Sequence, residues 1–224
     1  MPMSMISPHV AISAPGRRVA GVIATLAWVA LALQFVVSVS LLTAAGRTLL
    51  DAVWNYLGFF TILTNLLVAI TLTRVVRARG FGATPSDLST ITGVVLAIAI
   101  VGVAYHTLLS GRVPAMGPLW WTADRMLHYL TPTAAVMWWL VFVPTHTLRY
   151  RDPLAWLVFP VSYLVYALGR GAIDGWYPYF FIDVSAIGYG QALAHAAMLT
   201  SAMFVAGCFV VTGARIAASR GSRR

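Results

Sequence analysis

Two groups of polar residues lie in apolar stretches of this sequence, and their types and spacing suit nucleophilic acyl transfer. Thr61, Thr64 and Asn65 are spaced i, i+3 and i+4, which places them on one face of a helix. Asp124 and His128 are four residues apart and share a helix face in the same way. A threonine hydroxyl becomes a nucleophile when a neutral histidine accepts its proton.

Each side chain has a predicted role in such chemistry. Thr61 or Thr64 is the predicted nucleophile and His128 the predicted base, because a histidine kept away from water tends to stay neutral. Asp124 can orient that histidine, and Asn65 can donate a hydrogen bond to the oxyanion of a tetrahedral intermediate. A structural use stays open as well, since threonine hydroxyls in helices commonly donate to the carbonyl four residues earlier.

The composition indicates what holds these residues in place. The chain has 60% hydrophobic and 9% charged residues, whereas soluble domains have about 25% charged residues. We therefore expect an all-α integral membrane protein, a multi-pass protein of the cell membrane. A bilayer core of about 30 Å requires about 20 apolar residues per helix. Six segments are predicted to span it: Val19–Leu42, Val53–Val75, Ser89–Leu109, Met126–Val143, Leu154–Leu168 and Gly188–Val211.

These segments predict one membrane domain. We expect residues 1–18 to form a flexible cytoplasmic tail, residues 19–211 the six-helix domain and residues 212–224 a basic cytoplasmic tail. Within the domain, Trp54–Thr73 is predicted to be one continuous helix. The aromatic stretch Gly175–Asp183 is predicted to form an outer loop that anchors at the interface or covers a cavity.

The arginines predict the orientation, because cytoplasmic loops of membrane proteins carry the excess of positive charge. Six spans place eleven arginines on the side of both termini: Arg17, Arg18, Arg74, Arg77, Arg79, Arg149, Arg151, Arg215, Arg220, Arg223 and Arg224. Four arginines fall on the other side: Arg47, Arg112, Arg125 and Arg170. Both termini are therefore predicted to be cytoplasmic. The net charge of +9 reflects this topology and attraction to anionic lipid, so we expect no nucleic-acid partner.

The same topology gathers polar membrane residues in the outer half of the bilayer. Besides the Thr61 group, they are His106, His128, Arg170 and His195. Polar groups inside a bilayer are costly and normally face the protein interior, which predicts a shared cavity entered by membrane lipids or a lipid-like substrate. Pro132 follows His128 by four residues and removes a backbone hydrogen bond there, as is common where a membrane helix lines a cavity.

A predicted substrate-binding layer lies near the end of the fifth segment and in the sixth. Its members are Tyr166, Arg170, Gln191 and His195. Arg170 can hold a lipid carboxylate or phosphate, or it can simply neutralise Asp174 four residues later. Gln191 and His195, also four residues apart, can equally form a hydrogen-bonding pair between helices.

Three motifs resemble one family of membrane enzymes. They are W-N-Y-L-G-F-F-T-I-L-T-N at 54–65, M-L-H-Y-L-T-P at 126–132 and Y-L-V-Y-A-L-G-R-G-A-I-D-G-W-Y-P-Y-F-F at 163–181. The chain is similar in these motifs to the androgen-induced and androgen-dependent membrane hydrolases, which cleave fatty acid esters of hydroxy fatty acids, and to bacterial relatives of that family. The resemblance implies a threonine nucleophile at Thr61, with Thr64 as the other candidate, and a catalytic histidine at His128.

A threonine-dependent hydrolase of lipid esters, without metal or cofactor, is therefore the main hypothesis. A redox or metal-binding protein is the first alternative, with His106, His128 and His195 as haem or metal ligands. A non-catalytic transporter, channel or lipid-binding protein is the second alternative. It predicts a polar path through both halves of the bilayer.

Overall fold

The computed structural model describes residues 11–77, 82, 84–112 and 116–221, and the regular elements in these ranges are all helices. The α-helices are α1 Ala14–Ala44, α2 Leu49–Tyr56, α3 Phe60–Arg77, α4 Pro85–Ala104, α5 Pro118–Arg125, α6 Thr131–Phe142, α7 Asp152–Trp156, α8 Val158–Asp174 and α9 Val184–Gly221. Two π-helical turns, Tyr105–Leu109 and Met126–Leu130, extend α4 and join α5 to α6. The all-α prediction is confirmed.

Five helical stretches in the described ranges are long and apolar enough to cross a membrane. They are Ala14–Ala44, Phe60–Arg77, Pro85–Leu109, Asp152–Asp174 and Val184–Ser219. Large apolar side chains such as Leu140, Val165 and Phe209 are exposed on the outside of the bundle, where lipid would cover them. The chain therefore has the helices of a multi-pass membrane protein.

The predicted fourth span, Met126–Val143, lies in a helical stretch that runs from Pro118 to Phe142 through the second π-helical turn. This stretch is not among the five strongly apolar ones, since it contains Arg125, His128 and Pro132. Six spans and cytoplasmic termini stay predictions.

The first and the last helix of the chain both extend into the predicted tails. Helix α1 begins at Ala14, inside the predicted tail 1–18, because the Ser13 side chain accepts a hydrogen bond from the Gly16 N–H at 3.3 Å. Ile12 before it is 3% exposed and belongs to the core. Helix α9 runs to Gly221 and takes in most of the predicted tail 212–224. Residues 1–10 and 222–224 of the two predicted tails lie outside the described residues.

The predicted continuous helix Trp54–Thr73 is wrong, because the structure breaks it after α2. Helix α2 ends at Tyr56 and α3 begins at Phe60. The Leu57 N–H donates to the Val53 carbonyl at 3.0 Å and the Gly58 N–H to the Asn55 carbonyl at 2.9 Å, so the last turn tightens and the chain changes direction. The break makes α3 a separate helix with its own N-terminus close to Thr61.

The main core lies among α1, α3, α4 and α6, with alanines such as Ala20, Ala27 and Ala69 allowing α1 and α3 to pack closely. The Trp138 indole is 2% exposed and donates to the Gly16 carbonyl at 2.7 Å, which ties α6 to the start of α1. A second cluster around Trp156 joins α4, α7 and α9. Together these contacts fix α3, α4 and the 118–142 stretch side by side.

Candidate functional site

Asp124, which is buried, and His128, which is half-buried, form a hydrogen-bonded pair. The His128 Nδ1 atom lies 3.0 Å from the Asp124 Oδ1 atom and 3.0 Å from the Asp124 backbone carbonyl oxygen. Because both neighbours are acceptors, Nδ1 carries the proton in the neutral imidazole and Nε2 is the acceptor. The predicted orienting role of Asp124 therefore matches the geometry of this pair.

Tyr105, which directly follows α4, contacts both members of this pair. Its hydroxyl donates to the Asp124 Oδ2 atom at 2.7 Å, and its ring stacks on the His128 imidazole with 3.7 Å between ring centroids and 17° between planes. The carboxylate is thus held from two sides and the imidazole is held against an aromatic face. The sequence analysis did not select Tyr105 and selected its neighbour His106 instead.

The two π-helical turns bring these residues together. Tyr105 begins one turn and His128 lies in the middle of the other. Pro132 has no N–H for the His128 carbonyl, which accounts for the widened turn before it. Gly102 faces that carbonyl, and a Cβ atom at this position would lie only 3.2 Å from the carbonyl oxygen, so glycine allows the close approach of α4.

Thr61 lies at the second residue of α3, is 8% exposed and faces a cavity of about 390 Å³. The same cavity is lined by His128, Asp124, Tyr105 and Tyr179. Its other walls come from α1, α2, the start of the 118–142 stretch and the residues just before it, including Gln34, Ser38, Asn55, Tyr56, Met116 and Trp120. The structure therefore brings the predicted nucleophile, base and orienting carboxylate to one cavity.

Tyr179 adds a phenol beside Thr61. The Thr61 N–H donates to the Tyr179 hydroxyl oxygen at 3.4 Å, and the ring stacks on Phe181 with 5.1 Å between centroids. Burial raises the pKa of the Tyr179 phenol above its usual range, so the group stays protonated. Tyr179 belongs to the aromatic stretch Gly175–Asp183, which was predicted to be an outer loop. The high content of aromatic residues was the only sequence signal for a role of this stretch at the cavity.

Helix α8 supports the break that precedes α3. A helix end leaves carbonyl groups without partners inside the helix, and these need donors when they are buried. Three side chains of α8, spaced about one turn apart, supply the donors: Tyr163 to the Gly58 carbonyl at 2.9 Å, Tyr166 to the Leu57 carbonyl at 3.3 Å, and Arg170 to the Trp54 carbonyl at 2.5 Å. The position of Thr61 thus depends on α8.

Arg170 is a structural residue in this arrangement. Its guanidinium lies 4.3 Å from the Trp54 ring centroid and 4.9 Å from that of Trp176, and its Nε atom is 3.4 Å from the Asp174 carboxylate. The residue is only 4% exposed, and it does not line the Thr61 cavity. Arg170 and Tyr166 thus support the α2–α3 break from outside the Thr61 cavity, and their substrate-binding role stays a prediction.

Thr64 and Asn65 are also bound within the protein. The Thr64 hydroxyl donates to the Phe60 carbonyl at 2.7 Å, and the residue is fully buried. The Asn65 Nδ2 atom donates to the Thr61 carbonyl at 2.9 Å and to the Leu127 carbonyl at 3.3 Å. Neither residue lines the cavity, and Thr64 as nucleophile and Asn65 as oxyanion donor stay predictions.

Gln191 and His195 do not reach the Thr61 cavity either. Gln191 is exposed on the outside of α9. The His195 Nδ1 atom lies 2.9 Å from the Phe181 carbonyl oxygen, and this contact attaches the aromatic stretch to α9. The structure places both residues outside the Thr61 cavity, and their substrate-binding role stays a prediction.

The three histidines of the redox alternative have different partners. His106 is exposed, with its Nδ1 atom 3.4 Å from the Tyr129 hydroxyl, while His128 pairs with Asp124 and His195 with a backbone carbonyl. Within the described ranges, no three His, Cys, Asp or Glu side chains form a group that could hold a metal ion.

Comparison of the chain with protein-family models, curated proteins and solved structures finds no match. The resemblance to the androgen-induced and androgen-dependent hydrolases stays a prediction from the three motifs.

Proposed function

We propose that this multi-pass membrane protein is an intramembrane hydrolase of lipid esters in which Thr61 is the nucleophile. The observation that carries the proposal is the shared cavity of Thr61, His128 and Asp124, in which Asp124 holds the Nδ1 atom of the imidazole. In this arrangement Thr61 can act as nucleophile, His128 as base and Asp124 as the carboxylate that orients the base. The resemblance of the motifs at 54–65 and 126–132 supports the same two residues.

The reaction begins when the Thr61 hydroxyl attacks the ester carbonyl carbon and transfers its proton to His128 Nε2. The tetrahedral intermediate collapses, the alcohol leaves with the proton from Nε2, and an acyl-threonine remains. A water molecule then attacks the acyl group with His128 as base, which releases the acid and restores Thr61. Asp124 stabilises the imidazolium that forms in each half.

The N-terminus of α3 supplies the stabilisation of the oxyanion. The first intrahelical hydrogen bond there runs from the Leu63 N–H to the Phe59 carbonyl, so the preceding N–H groups have no carbonyl partner within the helix. The positive end of the helix dipole lies close to Thr61, where the carbonyl oxygen of a bound ester would become negative. The Thr61 N–H already donates to the Tyr179 hydroxyl oxygen, so the protonated Tyr179 phenol is the side-chain donor beside this position.

The proposal includes the membrane arrangement. The 118–142 stretch acts as a sixth span beside the five apolar ones, both termini are cytoplasmic, and the Thr61 cavity lies in the outer half of the bilayer. The distribution of arginines supports this orientation. Ester substrates then reach the cavity from the lipid.

Two valine substitutions three residues apart on α3 test the proposal. Valine keeps the shape of threonine and removes the hydroxyl. Thr61→Val should abolish hydrolysis of a long-chain ester by the purified protein, and Thr61→Ser should retain part of it. Thr64→Val is the matched control and should keep the wild-type rate, because its hydroxyl only donates to the Phe60 carbonyl.

Covalent labelling provides a second readout. A lipid-like phosphonate probe should modify the wild-type protein at Thr61, and peptide mapping should show no label in Thr61→Val. His128→Gln should slow labelling, because the base that activates the hydroxyl is missing. A wild-type rate of hydrolysis in Thr61→Val, or a label at another residue, would reject the assignment. The transport alternative predicts neither hydrolysis nor labelling.

A further inference from the structure

Thr61 lies on a wall between two cavities. The second cavity, of about 110 Å³, is lined by residues of α3, α4, α8 and α9 and of the segments 105–109 and 179–182. It shares Thr61, Tyr105, Leu109 and Tyr179 with the larger cavity described above. A molecule bound at the Thr61 hydroxyl can therefore extend in two directions.

The two cavities differ in chemistry. The smaller one is lined mainly by apolar side chains: Phe60, Ile100, Val101, Ala104, Pro160, Leu164, Phe181, Ile182, Ala196, Leu199 and Met203. The polar side chains that line only this cavity are Thr200 and Tyr163, whose hydroxyl donates to the Gly58 carbonyl. The larger cavity carries Gln34, Asn55, Asp124 and His128. Apolar cavities of this kind exclude water and accept apolar ligands.

The position of the base decides which part of an ester occupies each cavity. His128 lines the larger cavity and not the smaller one. The leaving alcohol oxygen must receive its proton from His128 Nε2, so the alcohol part lies on the larger side. The acyl carbonyl sits at Thr61, and its chain must then extend away from His128.

We infer that the smaller cavity is the acyl-chain subsite and that the larger cavity takes the alcohol part of the ester and later the hydrolytic water. The inference rests on the proposed function. The side chains that line only the smaller cavity then set the acyl-chain length that the enzyme accepts. Ala196, 4% exposed on α9, and Met203, two turns further along, are the residues to change.

The test compares three variants on acetyl, octanoyl and palmitoyl esters of one alcohol. Ala196→Leu fills the subsite and should lower kcat/KM for the palmitoyl ester about tenfold more than for the acetyl ester. Met203→Ala enlarges the subsite and should shift the preference toward the longer chains. Ala197→Leu, on the exposed face of the same helix, is the matched control and should keep the wild-type preference.

A second series varies the alcohol with the acyl chain fixed, and Ala196→Leu should respond to it as the wild type does. The subsite assignment alone is overturned if hydrolysis depends on Thr61 but neither Ala196→Leu nor Met203→Ala changes acyl preference, or if Ala196→Leu changes alcohol preference instead. Hydrolysis that persists in Thr61→Val, or none in the wild type, overturns the proposed function and the subsite together. Acetyl ester turnover reports on folding of each variant, and Met203→Ala keeps the test decisive if Ala196→Leu does not fold.

Discussion

The Tyr105 hydroxyl donates a 2.7 Å hydrogen bond to the Asp124 Oδ2 atom across the interface between α4 and the 118–142 stretch. Asp124 is only 6% exposed, and its other oxygen faces His128. A buried carboxylate requires such partners, because an unpaired charge away from water is strongly unfavourable. The bond therefore links the packing of two helices to the orientation of the proposed base.

Replacing Tyr105 by phenylalanine should lower both stability and activity. Tyr105→Phe keeps the ring that stacks on His128 and removes the donor to Asp124, a loss of about 1.5–3 kcal/mol for a bond to a charged group. Thermal unfolding and kcat/KM of the purified protein measure the two effects. Tyr129→Phe is the control, because that hydroxyl contacts the exposed His106, and it should behave as the wild type. Equal behaviour of the two variants would contradict the prediction.

Replacing Asp124 by asparagine should affect activity far more than folding. An asparagine that turns its amide N–H toward His128 Nδ1 makes that atom an acceptor, so Nε2 carries the proton and cannot act as base. We expect kcat to fall by about 10³-fold or more while the helical content by circular dichroism stays unchanged. A fall of less than tenfold would show that Asp124 does not fix the imidazole tautomer.

The Asp124–His128 pair could be predicted from the sequence, but the residues that contact the site from other parts of the chain could not. Residues four apart on a helix must share a face, so the Asp124–His128 pair followed from spacing alone. Pro132 indicated the distorted turn at His128, because proline removes a donor wherever it stands. Tyr105 and Tyr179 were missed, since they reach the site from distant parts of the chain and their spacing shows no local pattern.

The break between α2 and α3 could not be predicted from local sequence for a related reason. The stretch Trp54–Thr73 is mostly apolar and contains a single glycine, which is compatible with a continuous helix. Its broken form is supported by donors from α8, more than one hundred residues later. A buried arginine in a membrane helix implies a partner. The partners of Arg170 within the protein are the Trp54 carbonyl, the Asp174 carboxylate and two indole rings.

Arg170 and Arg47 provide a matched pair for testing that structural role. Each has an aspartate four residues later, Asp174 and Asp51, at 3.4 Å in both cases. The Arg170 side chain is 3% exposed and that of Arg47 is 61% exposed. Arg170→Gln should destabilise the protein by about 2–4 kcal/mol, because the Trp54 carbonyl and two indole rings lose the guanidinium. Arg47→Gln should cost under about 1 kcal/mol, as exposed ion pairs do.

Thermal unfolding in detergent measures the difference between the two arginine variants. A substrate-binding role for Arg170 predicts another result, a raised KM with an unchanged unfolding temperature. That outcome would support the substrate-binding role that the sequence predicts.

Gly58 tests whether the break positions Thr61. A Cβ atom there would overlap the Arg170 guanidinium, lie 2.6 Å from the Trp176 ring and lie 3.0 Å from the Asn55 carbonyl oxygen. Gly58→Ala should therefore displace the start of α3, lowering both the unfolding temperature and ester hydrolysis. Gly169→Ala is the control: nothing lies within 4 Å of its added methyl group, and alanine in a helix interior should stabilise by about 0.5–1 kcal/mol. Full hydrolysis in Gly58→Ala would show that Thr61 is positioned independently of the α2–α3 break.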